Sequence, residues 1–257
     1  MKAVNLITAS ALAMAVVAPA LYAADAPLSA DQKKQFEQVV HDYLVRNPEV
    51  LVEASQVLQQ KQQQAQQEQA KSAISQNVKE LFLGNLAVAG NPKGNVTLVE
   101  FFDYQCIHCK EMRETVEKLI KSDKNLRVIF KEFPIFGKPS ELASRAALAA
   151  AMQGKYPQMH QALLKIDKHL DEALVMEAAK SAGLNIKKLK VDMESKQVKD
   201  ELSANRALAE KIHLMGTPAF VVASTPGGQF KAGSTPGFVP GAASEKALQD
   251  LIDKAAA

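Results

Sequence analysis

The chain has 257 residues, of which 47% are hydrophobic, 23% charged and 5% aromatic, with a formal charge of +3. That length and apolar content suffice for a large core and exclude a wholly disordered chain, and a charge so near neutral gives no electrostatic case for nucleic acid. Two cysteines exclude a disulfide-rich scaffold.

Lys2 is the only charge before Asp25, Leu6 to Ala18 is continuously apolar or small, and small residues follow at Ala20, Ala23 and Ala24. These are the three parts of a secretory signal peptide, expected over residues 1–23. An uncleaved anchor is the rival reading, but Pro19 interrupts the run and it is shorter than the ~20 residues a span needs. Export leads to an oxidising compartment, read here as the bacterial periplasm.

Residues 24–88 read as helices. Ser29 and Gln32 have capping-box spacing, and Phe36, Val39, Val40, Tyr43 and Leu44 share one helical stripe. Asn47-Pro48 marks a stop and a restart, with Asn as N-cap and Pro at the first helical position. The next helix carries Val50, Leu51, Ala54, Val57 and Leu58. Nine glutamines fall between Gln56 and Gln69; Gln and Lys favour helix there, with a disordered linker as the rival. Ala70, Ile74, Val78, Leu81 and Phe82 then restore a stripe before Gly84. These turns are too few to bury their own apolar side chains. The segment is therefore expected to meet a partner surface, most simply another copy of this chain, a dimer being favoured. Folding back on the rest of the chain is the alternative.

The remainder, 89–257, reads as mixed α/β. After the turn Asn91-Pro92-Lys93-Gly94, Val96 to Phe102 is dense enough for a buried strand. Lys110 to Lys121 reads as helix, and Leu126 to Phe133 as a second strand closed by Pro134. This is a βαβ unit with parallel strands. Residues 139–213 read as helices only. Ala219 to Val222 is a strand, Pro226-Gly227-Gly228 a hairpin turn and Gln229 to Lys231 a short return strand; Ser244 caps a last helix.

Both cysteines lie in Cys106-Ile107-His108-Cys109. A disulfide closing so short a loop gains little stability, so the pair points to reversible chemistry. A zinc site is the rival, but one such pair supplies two of four ligands, and a second would have to come from a dimer partner. The motif follows a buried strand and opens a helix. Cys106 at that helix N-terminus meets free N–H groups and the positive end of the dipole, and His108 adds a nearby donor or positive charge. Both lower the thiol pKa of Cys106 and favour its thiolate. A stabilised thiolate makes the disulfide form a stronger oxidant. Cys109, one turn on, is expected to be more buried and to resolve. Glu100, in the preceding strand, reads either as a buried proton acceptor for Cys109 or as a solvated strand end. His41, His160, His169 and His213 read as surface or packing residues.

Phe101 to Cys109 resembles the active-site stretch of DsbA-like thiol:disulfide oxidoreductases. Lys131-Glu132-Phe133-Pro134, the helical stretch 139–213 and Gly216-Thr217-Pro218-Ala219-Phe220 resemble further parts of that family. The resemblance implies an α/β, thioredoxin-like fold with an inserted helical domain, preceded by an N-terminal helical dimerisation segment. It implies that Thr217–Pro218 is cis and that the Thr217 backbone pairs with an extended client peptide. The family often has Pro where this chain has Ile107, which makes Ile107 a redox-tuning position. Threonine before Pro218 is similar to the disulfide isomerases. Tyr43-Leu44-Val45-Arg46-Asn47-Pro48-Glu49 resembles the extension of a subgroup that oligomerises through it. The expectation is an exported protein disulfide oxidoreductase or isomerase without bound cofactor or metal, acting through Cys106, Cys109 and His108. Its partners would be misfolded exported proteins and a membrane recycling protein of the Dsb type. The rival is an exported chaperone or copper-handling protein that uses the two sulfurs as soft ligands.

Overall fold

The computed structural model describes residues 28–83 and 86–257. The signal peptide expected over 1–23 lies outside the described residues. The chain divides into two compact units, one ending at Leu58 and one beginning at Gln59.

In the first unit, α1 spans Ala30–Arg46 and opens on the expected capping box. Gln32 N–H donates to Ser29 Oγ at 3.2 Å, and Ser29 N–H donates to Gln32 Oε1 at 2.9 Å. Asn47 closes α1 instead of opening the next helix: its backbone N–H and its side-chain amide both donate to Tyr43 O at 2.9 Å. The following helix, α2, spans Glu49–Gln76, so the glutamine-rich stretch is helical. No residue of α1 is buried, and Phe36, Val39 and Tyr43 are 63%, 65% and 55% exposed.

The second unit contains the end of α2, then α3 (Val78–Phe82), β1 (Val88–Gly90), β2 (Val96–Phe102), α4 (Ile107–Ser122) and β3 (Leu126–Glu132). Five helices follow: α5 (Lys138–Ala151), α6 (Tyr156–Leu164), α7 (Glu172–Ser181), α8 (Ile186–Met193) and α9 (Lys196–Lys211). The chain ends with β4 (Ala219–Ser224), β5 (Gly237–Pro240) and α10 (Glu245–Ala256). The sheet order is β1-β3-β2-β4-β5. β2 and β3 run parallel from Val96↔Leu126 to Phe102↔Glu132, as a βαβ unit requires, and the other pairings are antiparallel.

Every residue of β2 and β3 is buried, because helices cover both faces of the sheet. On one face Leu98, Phe102, Val128 and Phe130 pack with Met112, Val116, Met159 and Leu248. On the other, Val99, Phe101, Ile129 and Val221 pack with Ile74, Leu81, Phe82 and Leu208. The expected end of the front segment at 88 therefore differs from the unit boundary at Leu58–Gln59: Ile74, Leu81 and Phe82 are core residues of the second unit.

The return strand expected at Gln229–Lys231 is not in the sheet; the strand beside β4 is β5, with Ala219↔Pro240 and Val222↔Gly237. Two positive-φ glycines, Gly227 and Gly228, carry the chain away from β4, and Gly228 O accepts from Arg127 Nη1 at 2.9 Å. Phe230 then stacks on Phe82 with ring centroids 5.4 Å apart. Aromatic packing thus takes the residues whose pattern suggested a strand. β1 has only three residues and no alternation to read.

Candidate active site

β2 delivers the chain to Asp103, and α4 receives it at Cys106, which is the N-cap residue in extended conformation. Cys106 N–H donates to Asp103 O at 3.1 Å, so a tight turn joins strand to helix. Asp103 is fully buried and its carboxylate is saturated with donors. Oδ1 accepts from Gln105 N at 2.7 Å and Ser140 Oγ at 2.6 Å; Oδ2 accepts from Ile135 N at 2.7 Å and Phe136 N at 3.0 Å. One carboxylate therefore holds together the cysteine turn, the loop after β3 and the start of α5. Gln105 extends the grip to the chain between α6 and α7, since its Oε1 accepts from Leu170 N at 3.1 Å.

Both cysteines are free thiols. Cys106 is 4% exposed and Cys109 1% exposed, the order expected of an attacking and a resolving sulfur. The Cys106 sulfur lies 3.3 Å from Thr217 O across the fold, and in its protonated form the thiol donates to that carbonyl. Thr217–Pro218 is cis. The Cys106 pKa is lowered from 9.0 to about 5. The largest cause is the Cys109 thiol, which hydrogen-bonds to the Cys106 sulfur and outweighs the opposing effect of burial. The backbone N–H groups of Cys109 and His108 lower it further. Cys109 moves the other way: burial first, then its bond to Cys106 and the charge of Glu100, push its thiol far above the ordinary range. The two sulfurs are thus opposites, one ionised at neutral pH and one firmly protonated.

Glu100 is buried, and burial, then Glu132, then Cys106 push its carboxyl up to about 8. Glu132, also fully buried, is pushed up to about 8, chiefly by burial. Its Oε1 accepts from Tyr104 Oη at 3.0 Å and Tyr156 Oη at 2.8 Å. His160 Nδ1 lies 3.1 Å from Tyr104 Oη, and burial holds the imidazole neutral, with its pKa lowered to about 3. Both carboxyls lie on the α4 face of the sheet, because Glu100 and Glu132 alternate with Val99, Phe101, Ile129 and Phe133 on the opposite face.

Residues 97–253 match the DSBA-like thioredoxin domain model. The chain belongs to this family. Residues 32–65 match the model of the copper resistance protein ScsC N-terminal domain. BcfH of Salmonella enterica Typhimurium is 34% identical, with a TM-score of 0.72 over 88% of this chain and 97% of that one. The thiol:disulfide interchange protein DsbA of Bordetella parapertussis is 29% identical over 143 residues, covering 54% of this chain and 68% of that protein. The chain also matches the Na(+)/H(+) antiporter NhaA 3 of Salinispora tropica at 26% identity over 137 residues, spanning only 21% of that protein's length.

Within this DsbA-like domain the fold brings together four of the residues singled out from sequence: Cys106, Cys109, Thr217 and Pro218. Ile107 and His108 stand at the rim, where Ile107 is 62% exposed. The His108 imidazole places Nδ1 3.0 Å from Glu111 Oε2, and Glu111 is the main reason its pKa is raised, with the charge of Cys106 adding to it. It is the His108 backbone N–H that reaches Cys106. His160 packs beside the site as expected; Tyr156 stacks on it at 5.6 Å. Sequence reasoning missed Asp103, Tyr104 and Glu132. Asp103 had a signal, being an acid directly after an apolar strand and before the motif; the partners of Glu132 come from distant elements and had none.

Proposed function

We propose that this chain is a periplasmic thiol:disulfide oxidoreductase that introduces or reshuffles disulfides in exported proteins, with isomerase activity as a homo-oligomer. The observation that carries the chemistry is the opposition of the two sulfurs, Cys106 lowered to about 5 and Cys109 raised. The ionised Cys106 attacks one sulfur of a client disulfide; the other leaves as a thiolate, and a mixed disulfide forms. Cys109 must lose its proton to attack Cys106 in turn. That attack releases the second client sulfur and leaves the Cys106–Cys109 disulfide. Glu100 takes that proton in its ionised form, the minor form at neutral pH because its carboxyl is held near 8. Run in reverse, the same steps oxidise a client dithiol. A misfolded client whose own thiol attacks the mixed disulfide first is isomerised.

Thr217 and Pro218 position the client beside Cys106, Ile107 tunes the redox poise, and His108 supports the thiolate. Export is supported by the leader pattern around Lys2 and Ala23, and oligomerisation by the exposed apolar stripe of α1. A membrane redox-recycling protein of the Dsb type would reset the cysteines. The test is refolding of scrambled ribonuclease. Full-length mature chain restores activity, and Cys106→Ser abolishes it; no gain over an uncatalysed control overturns the isomerase reading. A second reading, copper handling through the two sulfurs, is favoured by the match of 32–65 to the ScsC N-terminal model. A chain inactive toward disulfides that holds Cu(I) against a strong chelator decides for it.

A further inference from the structure

The glutamine-rich stretch of α2 has no part in the chemistry described so far, yet the second unit places it beside the redox site. A cleft of about 510 Å³ runs between this helix and the Thr217–Pro218 loop. Gln63, Gln66 and Gln67 supply its lining from the helix, and Thr217, Pro218 and Phe238 line it as well. The spacing explains why these glutamines and not their neighbours. Positions i, i+3, i+4 and i+7 share one helix face, and Ala70, the last of the four, is buried and seats the helix on the body.

The chemistry of the lining is unusual for a chain that is 23% charged. No Asp, Glu, Lys or Arg lines the cleft, and its single titratable group is His213. A carboxamide offers two donors and an acceptor, the complement of the N–H and C=O of a peptide backbone. Amides of this kind bind main chain whatever the side chains are. Met215, 85% exposed, adds a flexible apolar edge that adapts to different partners. Thr217 belongs both to this cleft and to the sulfur site, since its carbonyl holds the Cys106 thiol at 3.3 Å. A polypeptide whose cysteine lies at Cys106 and which passes Thr217 therefore continues into the cleft.

We infer that Gln63, Gln66 and Gln67 are a client-binding wall that holds an extended, uncharged stretch of substrate polypeptide by its backbone. This rests on the proposed thiol:disulfide exchange at Cys106 and names the class of client that the site takes. The occupant is client chain and not a charged ligand, because the lining offers no formal charge to meet one.

The experiment uses the full mature chain with Cys109→Ser, so that the mixed disulfide at Cys106 is trapped. Its rate of formation is measured with an uncharged extended peptide carrying one activated cysteine disulfide, and with a small disulfide that has no peptide part. Replacing all three glutamines by alanine keeps or improves helix propensity. The ratio of peptide rate to small-disulfide rate falls about tenfold, the effect of losing two or three modest hydrogen bonds. An unchanged ratio overturns the inference. Gln63→Glu, Gln66→Glu and Gln67→Glu together provide an independent check: the peptide rate then rises for a lysine-bearing peptide and falls for an aspartate-bearing one. Equal rates for the two overturn it as well, as does a peptide rate that drops with rising protein concentration, since a second copy would then fill the cleft. A parent chain that fails to react even with the small disulfide overturns the exchange chemistry itself, a result distinct from the others.

Discussion

At the scale of single residues, the site is governed by how each side chain is solvated. Cys106 and Cys109 have the same chemistry and lie one helical turn apart, yet their thiols move in opposite directions. Cys106 sits where N–H groups and a second thiol converge, and Cys109 sits in the apolar interior. Alkylation of Cys106 by iodoacetamide should follow its thiolate, rising through a midpoint near pH 5 and levelling above it. Replacing Cys109 by alanine removes the largest cause of the shift and moves that midpoint upward. The linkage has a definite sign. Between pH 5 and 9 the unfolded chain holds a proton at Cys106 that the folded reduced chain has lost, so the contribution is absent below about 5 and complete near 9. Urea unfolding of reduced and oxidised protein in parallel should show the reduced form gaining on the oxidised form across that window. Asp103 is the second decisive residue. Asp103→Ala leaves four donors without an acceptor and should cost ~3 kcal/mol in urea unfolding, whereas Asp103→Asn keeps one acceptor oxygen and should cost roughly half as much.

At the scale of elements, parallel pairing of β2 and β3 aligns their ends, so the cysteine turn after Phe102 and the loop after Glu132 emerge side by side. That adjacency lets one Asp103 carboxylate serve both. The turn from β1 toward β2 depends on Gly90, which has φ +73° and packs directly on β3. A Cβ there would lie 2.4 Å from Leu126 O, against backbone that cannot yield. Gly90→Ala should therefore destabilise the chain by ~2 kcal/mol, from left-handed strain and displacement of β1 together. A denaturant midpoint equal to that of the parent would show that β1 contributes little to the sheet.

At the scale of the whole molecule, the first unit and the second differ in kind. The second buries its apolar residues on both faces of a sheet, whereas α1 buries none of its own. Exposed Phe36, Val39, Tyr43, Leu51 and Leu58 are an unmet hydrophobic demand, which association of copies would satisfy. Light scattering on the mature chain should give the mass of an oligomer, and removal of residues up to Leu58 should give a monomer. The cut belongs there and not at 88, because Ile74, Leu81 and Phe82 are core residues of the second unit. A mature chain that runs as a monomer would remove the role assigned to the front helices.

The local signals in the sequence were sufficient wherever one interaction spans only a few residues. Ser29 and Gln32 cap α1 through bonds that reach only three residues along the chain, Val96 to Phe102 is dense enough in apolar residues for a buried strand, and Cys106 to Cys109 lies at the first turn of α4. What only the tertiary structure decided involves partners far apart in the chain. Asp103 meets Ile135 and Phe136, Glu132 meets Tyr104 and Tyr156, Phe230 stacks on Phe82 outside the sheet, and three glutamines of α2 line one cleft with Thr217. A capping box or an apolar strand has its energy written into adjacent residues and can be read in one pass. A buried carboxylate finds its donors only after the chain has closed, and nothing in the spacing of Asp103 or Glu132 encodes which donors those will be.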